Sequence, residues 1–437
     1  MVRAFFSSNV PLVSAVLFAL TCFGYSQTAG AEAVLNWHQC VDLVKDRNPD
    51  LAAAIANMKA TEAQYSGAFS GFFPQLSASA GYTDSSSTGS VPVAGSLTQT
   101  VTVQNQYSES LTLNQSLFNG FTDVGKAKVG KANYEAAKAQ LEAEKATLNS
   151  ALKTAFAQLL FEQQSVDLAN VILKRQQEDL RMINLRFKSG NENRGNLLYQ
   201  QATVTQAQYQ KDHAIRQVRN AMKQLGALWG DPDAEGLRVE GELTGHAPPA
   251  RPDFKQLALA NPTHVNFAQQ AESANAAVEV TDGGWYPNVN LIGSVGQVGA
   301  SWPPDNQRWS VGVSLTFPFF PGTSQIFAAE AARAQRLQAV FVLHSADYKL
   351  IAGLENAYEG LIDAVAQMQV AQEFQTAATA RSVIANGKYN TGLMTFEDWS
   401  VIEADRVTRE QNLLQSQLGA MTAEAAWESA EGIGEVR

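Results

Sequence analysis

The sequence predicts a mixed α and β membrane protein whose chain is written twice. Three observations carry that prediction. Two sets of long segments alternate polar and apolar residues at period two. Two stretches of more than sixty residues lack proline and place alanine and leucine at threes and fours. The two halves also align with each other without a gap over roughly a hundred residues.

The chain opens with a single basic residue, Arg3, ahead of an apolar block from Val10 to about Phe23, and Ala29-Gly30-Ala31 supplies an A-x-A cleavage site. The apolar block is short for a membrane-spanning helix, so residues 1–31 read as a secretory signal. A lipid anchor on Cys22 is the alternative, but Thr21 stands where a lipobox wants Gly, Ala or Ser. With the signal removed, Cys40 is the one remaining cysteine, so no internal disulfide can form. Its spacing from Trp37, Val41 and Val44 predicts a buried, small apolar residue on a helix.

After the signal, Asn48-Pro49 precedes Phe73-Pro74 and Asn261-Pro262 precedes Tyr286-Pro287, with a proline-to-proline spacing of 25 each time. YSESLTLNQSLFNG at 107–120 aligns with WSVGVSLTFPFFPG at 309–322, an offset of 202. The same offset lays RFKSGNENRGNLLYQQA (186–202) on KYNTGLMTFEDWSVIEA (388–404). The first half carries 11 extra residues between its strand-like segments, where a surface loop would vary. The predicted organisation is a first repeat over 32–228, a linker over 229–252 rich in Gly, Pro and acid, and a second repeat over 253–437. Each repeat runs helix, strand, loop, strand, long helix, tip, helix.

From Thr100 to Ser116 every even position is polar, while Val101, Val103, Tyr107, Leu111 and Leu113 occupy odd ones. In the second repeat Trp309, Val311, Val313 and Leu315 alternate with Ser310, Gly312, Ser314 and Thr316. The pattern is weaker over 76–82 and 289–295. A soluble β-sandwich shares this period. The runs, however, are long enough to cross a bilayer as tilted strands, which takes about 9–11 residues. Their polar face is also almost wholly small and uncharged, as a water-filled lumen requires. Four strands cannot close a barrel, and lipid tolerates no open edge, so membrane-spanning strands demand several chains in one barrel.

The proline-free runs from Asp123 to Lys188 and from Ser324 to Asn390 predict helices on the order of 100 Å long. Helices of this length point to a coiled-coil-like assembly, and their alanines allow close approach.

Other chemistry is poorly represented. Charged residues make up 17% of the chain and the formal charge is −10, with no basic stripe, which argues against nucleic acid as a partner. Gly125-x-x-x-x-Gly130-Lys131 nearly spells a phosphate loop, but Ala132 replaces the required hydroxyl and no strand leads into it. The five histidines (His38, His213, His246, His264, His344) are scattered without metal-ligand spacing. No nucleophile–base pairing emerges. The expectation is a protein that is not an enzyme and uses no cofactor or metal.

The export signal, the tandem repeat, the two strands per repeat, the Asn-Pro and aromatic-Pro pairs and the Gly-centred tips at Gly190 and Gly392 together resemble the TolC-type outer-membrane efflux protein (outer membrane factor) family. The resemblance spans essentially the whole mature chain. It implies a homotrimer contributing four strands per chain to a twelve-stranded β-barrel in outer-membrane lipid of a Gram-negative bacterium. An antiparallel α-helical barrel would continue it through the periplasm. Strand number alone also permits a dimeric eight-stranded barrel. The implied function is the passive exit duct of a tripartite efflux system, docked by a periplasmic adaptor (membrane fusion) protein and an inner-membrane pump. The duct of a type I protein secretion system is an alternative on the same fold. A soluble periplasmic coiled-coil structural protein is the alternative of another class.

The resemblance also implies a gate at the second tip. Tyr389, three residues before Gly392, matches a tyrosine in the links that hold such tunnels shut. Asp398, six after it, matches an acid of a carboxylate ring. Two family features are missing: Val401 stands at a second acid position and Met394 at an arginine position. Glu397 is the substitute acid, although it projects about 100° from Asp398 on a helix. Read from the residues alone, Thr395 caps a helix, Glu397 and Asp398 favour its first turn, and Trp399 packs the hairpin. In the first repeat, Phe187, Asn193 to Asn196 and Leu197 match these positions without an acid. Gly190, Asn191, Gly392 and Leu393 are expected at the tips, either docking the adaptor or simply ending helices.

Overall fold

The structure, a computed structural model, describes residues 33–93 and 96–436; the predicted signal and Cys22 lie outside the described residues. In chain order the first half comprises β1 (Ala33–Leu35), α1 (Trp37–Arg47), α2 (Pro49–Gly67), β2 (Gln75–Val93), β3 (Ser96–Asn119), α3 (Thr122–Lys188) and α4 (Arg194–Ala227). β4 (Leu237–Val239) and α5 (Phe254–Ala260) follow, in the places of β1 and α1, and the rest of the second half repeats the order. It has α6 (Pro262–Asp282), β5 (Asn288–Gly299), β6 (Asn306–Thr316), α7 (Ser324–Asn390) and α8 (Phe396–Glu431).

The duplication recurs in local chemistry. Asn48 and Asn261 each cap a helix with their side-chain oxygen, and the following proline takes the first helical position, where its missing N–H is not needed. The two longest helices, α3 and α7, are both 67 residues. Each folds back on its partner, α4 or α8, and α3 also packs against α2, α6 and α8.

The strands form one antiparallel sheet in the order β2-β3-β5-β6. Register places Ser77, Thr112, Ser294 and Ser310 in one row across it, with the Ser294 and Ser310 hydroxyls 2.8 Å apart. The next row, on the opposite face, is Ala78, Leu111, Val295 and Trp309. Trp309, Val311, Val313 and Leu315 on that apolar face are all exposed. Strands β2 and β6 are edges with no further partner among the described residues. The first hairpin runs on beyond Tyr107, the residue opposite the end of β5, which is where its additional residues lie.

The main core lies partway along the helices, around Val44, Leu152, Phe156, Leu225 and Trp229. Cys40 is buried there, and burial pushes its thiol up to about 11, consistent with a packing residue. The segment read from the sequence as a connector is partly docked on this core. β4 pairs in parallel with β1, Leu237, Val239 and Leu243 are buried, and Gln163 brackets the Val239 backbone with two 3.0 Å hydrogen bonds. Its alternating Leu237, Val239 and later Leu243 were the legible signal. Among the described residues, no helix is long and apolar enough to cross a membrane.

Candidate functional site at the helical tips

Both hairpins turn through a left-handed glycine, Gly190 at φ +78° and Gly392 at φ +76°. The next amide closes each helix end: Asn191 N–H donates to the Arg186 carbonyl and Leu393 N–H to the Lys388 carbonyl, both at 2.9 Å. This is the six-residue C-terminal cap that glycine permits without a Cβ clash. The returning helices begin on Asn193 and Thr395, whose side chains accept from the backbones of Asn196 and Asp398.

Tyr389 joins the two tips. It is buried, and its phenol donates a 2.5 Å hydrogen bond to Glu192 Oε2 on the first tip. Arg186 covers the other side, with its guanidinium carbon 4.6 Å from the ring centroid and Nη1 donating to the Tyr389 carbonyl at 2.9 Å. The ring stacks on Trp399, with centroids 4.8 Å apart and 12° between planes, over a small apolar cluster containing Ile183, Ala385 and Phe396. Burial pushes the Glu192 carboxyl up, but the bonds from Tyr389, Asn196 and the Asn193 backbone outweigh it and hold the group below its ordinary value. Burial, reinforced by Glu192, raises the Tyr389 phenol well above its ordinary value.

Trp399 carries the connection upward. Its indole N–H donates to Asn386 Oδ1 at 2.7 Å, and Asn386 Nδ2 donates to Glu403 Oε1 at 3.1 Å. The aromatic beside the second tip is therefore part of a polar ladder as well as packing.

The remaining sequence-predicted residues lie at the surface. Asp398 is exposed; its backbone N–H donates to Thr395 Oγ1 at 3.1 Å, and the Thr395 hydroxyl donates back to its Oδ2 at 2.7 Å. Glu397 is exposed in the same first turn of α8. Gly190, Asn191 and Gly392 are exposed, and Leu393 projects an apolar side chain that is 79% accessible. Sequence comparison singled out neither Glu192 nor Arg186. Both lie inside the 186–202 stretch that aligns with the second tip, where Glu192 stands opposite Met394 and so has no acidic counterpart. Among the described residues, no group of His, Cys, Asp and Glu is arranged to hold a metal ion.

A family model described as outer membrane efflux protein matches residues 40–231 and 255–432. The chain belongs to the outer membrane efflux protein family. Solved members share its fold. The Campylobacter jejuni CmeC outer membrane channel is 17% identical with a TM-score of 0.79, covering 90% of this chain and 85% of its own. The Vibrio cholerae outer membrane protein VceC is 17% identical at 0.78, covering 91% and 96%. The Neisseria gonorrhoeae MtrE outer membrane channel, in its open state, is 19% identical at 0.78, covering 90% and 88%. No curated protein matches significantly by sequence. In this family member the Tyr389–Glu192 link is a direct side-chain hydrogen bond between the two hairpin tips.

Proposed function

We propose that this outer membrane efflux protein is the exit duct of a tripartite efflux system, active as a homotrimer after removal of residues 1–31. The two repeats, 32–228 and 253–437, each supply one β-hairpin, and three chains close a twelve-stranded barrel across the outer membrane. The supporting observation is the four-stranded sheet itself, with two unpaired edges, one face of small polar residues and one exposed apolar face. Identical sheets from further copies satisfy both edges at once, and lipid covers the apolar face. The helices continue the passage into the periplasm, where a periplasmic adaptor engages the tips around Gly190, Asn191, Gly392 and Leu393 and an inner-membrane pump supplies the energy.

Gating follows from the tip contacts. In the closed state Tyr389 holds the second hairpin to the first through Glu192. Threefold symmetry turns Asp398 and Glu397 into an acidic, cation-attracting mouth. Opening breaks the Tyr389 link without chemistry on the cargo. The test is planar-bilayer recording of purified protein whose oligomeric mass has been measured. Discrete, cation-preferring steps from a trimer support the duct. Correctly processed trimer that never conducts would overturn it.

A further inference from the structure

Above Tyr389 the helices enclose a charged cluster that the tip link does not use. α3 brings Arg175 and Asp179, one turn apart; α8 brings Glu403, Arg406 and Glu410; α7 brings Ser382 and Asn386. Arg175 grips Glu410 through two nitrogens at 3.0 and 2.7 Å, and Arg406 Nε reaches the same carboxylate at 3.0 Å. Arg406 Nη1 donates to Ser382 Oγ at 3.1 Å, and that hydroxyl donates on to Glu403 Oε1. These pairings use the Arg175 terminal nitrogens but leave its Nε without an acceptor, while Asp179 Oδ2 and Glu403 Oε2 remain buried with no hydrogen-bond donor.

Three carboxyls thus face two guanidiniums. Fully ionised, the cluster holds an uncompensated buried negative charge, which is costly. One added proton balances that charge. The surrounding elements offer no other compensation. Glu178 on the same turn of α3 is a further acid. On α7 Arg381 is turned to Asp405, which also binds Arg409 in a more exposed triad. α4 contributes the neutral Gln200, bonded to Gln176. Burial first, and then Glu403, pushes the Asp179 carboxyl up to about 7 against the pull of Arg175.

We propose that Asp179, beside Glu403, acts as a proton-dependent clamp holding α3 against α8 above the tips, tightening closure when Asp179 is protonated and loosening it when the proton leaves. The proposal rests on the gating reading above. A carboxyl raised in the closed neck binds its proton more tightly there than when solvated. Closure is therefore favoured in acid and weakens as pH climbs from about 4, the ordinary aspartate value, toward neutrality. The closed-to-open ratio falls by up to about tenfold per pH unit.

Amide hydrogen exchange on the full-length protein at pH 5 and pH 8, corrected for intrinsic exchange, tests this. Residues 172–190 and 380–406 should exchange about tenfold faster or more at pH 8, while residues 40–58 in the main core hold steady. Asp179→Asn, permanently neutral, should keep the slow rates at both pH values. Glu403→Gln removes the repelling charge and should move the midpoint to lower pH. That second variant carries the test if Asp179→Asn fails to fold. Equal native rates at both pH values, a pH response that survives Asp179→Asn, or a midpoint unmoved by Glu403→Gln each overturns the clamp. Bilayer recording separates the two readings: a neck that responds to pH with no change in open probability overturns the clamp's role in closure, whereas a trimer that never conducts overturns the duct reading instead.

Discussion

The side-chain nitrogen of Asn48 donates a 2.7 Å hydrogen bond to the carbonyl oxygen of Leu228, just past the end of α4. In the second half Asn261 does the same to Ala430, in the last turn of α8, at 2.8 Å. Leu228 and Ala430 are themselves 202 residues apart, the repeat offset of the hairpins. One asparagine thus starts a short helix with its oxygen and ties down the end of a returning helix with its nitrogen. A carbonyl at a helix C-terminus has no partner within the helix, so the tie answers a need that every helical hairpin has.

Replacing either asparagine should separate these two roles. Asn48→Ala loses the cap and the tie together, and about 2 kcal/mol of stability is expected to go with them. Asn48→Asp retains the capping oxygen but turns an acceptor toward the Leu228 carbonyl, and should be at least as damaging. Denaturant unfolding of both variants, with the Asn261 pair alongside, decides the matter. An aspartate variant as stable as the native chain would mean the tie contributes nothing.

Tyr389→Phe keeps the stack on Trp399 and removes only the bond to Glu192. A hydrogen bond to a partly exposed carboxylate contributes about 1–2 kcal/mol, so closure should weaken roughly tenfold. Open probability should rise while the melting temperature hardly moves, and Glu192→Gln combined with it should add little. The pH dependence runs opposite to that of Asp179. Because the Glu192 carboxyl is held below its ordinary value, the link is intact above about 4.3 and is lost as pH falls through that lower value. Full additivity of the two substitutions would show that the residues are not coupled.

Much of this architecture was legible in the residues. The gapless offset, the Asn-Pro pairs and the proline-free runs give α3 and α7 to within a residue at either end, because helix length and termination are local properties. The turn glycines were legible for the same reason. The partner of Tyr389 was not, since Glu192 is 197 residues away and meets it only when the two hairpins pack. The charged cluster left a trace in spacing, with Arg175 and Asp179 four apart and Glu403, Arg406 and Glu410 on one face of α8. Spacing within helices shows which residues share a face, but not which faces meet.

The two faces of the sheet give a sharp test of membrane insertion. Val313 pairs with Leu291 on the apolar face, and its neighbour Ser314 pairs with Asn290 on the other. Lysine at Val313 should cost about 2–4 kcal/mol near the bilayer midplane, while lysine at Ser314 points into water and should alter ion selectivity instead. Folding yield into lipid vesicles, followed by conductance, reads both effects. Equal tolerance at the two positions would place neither face against lipid.

Asp398 holds two candidate roles that one pair of variants can divide. Its bonds with Thr395 make it part of the α8 N-terminus, where an acid also favours the helix dipole. Thr395→Ala breaks the cap but leaves the carboxylate at the mouth. About 1 kcal/mol of local stability should be lost with selectivity unchanged. Asp398→Asn keeps a side-chain oxygen for the Thr395 hydroxyl but removes the charge. Stability should then change by less than about 0.5 kcal/mol, while cation preference and block by divalent cations fall if three copies line a constriction. Reversal of that pattern, with selectivity following Thr395 and stability following Asp398, would assign the carboxylate to the cap.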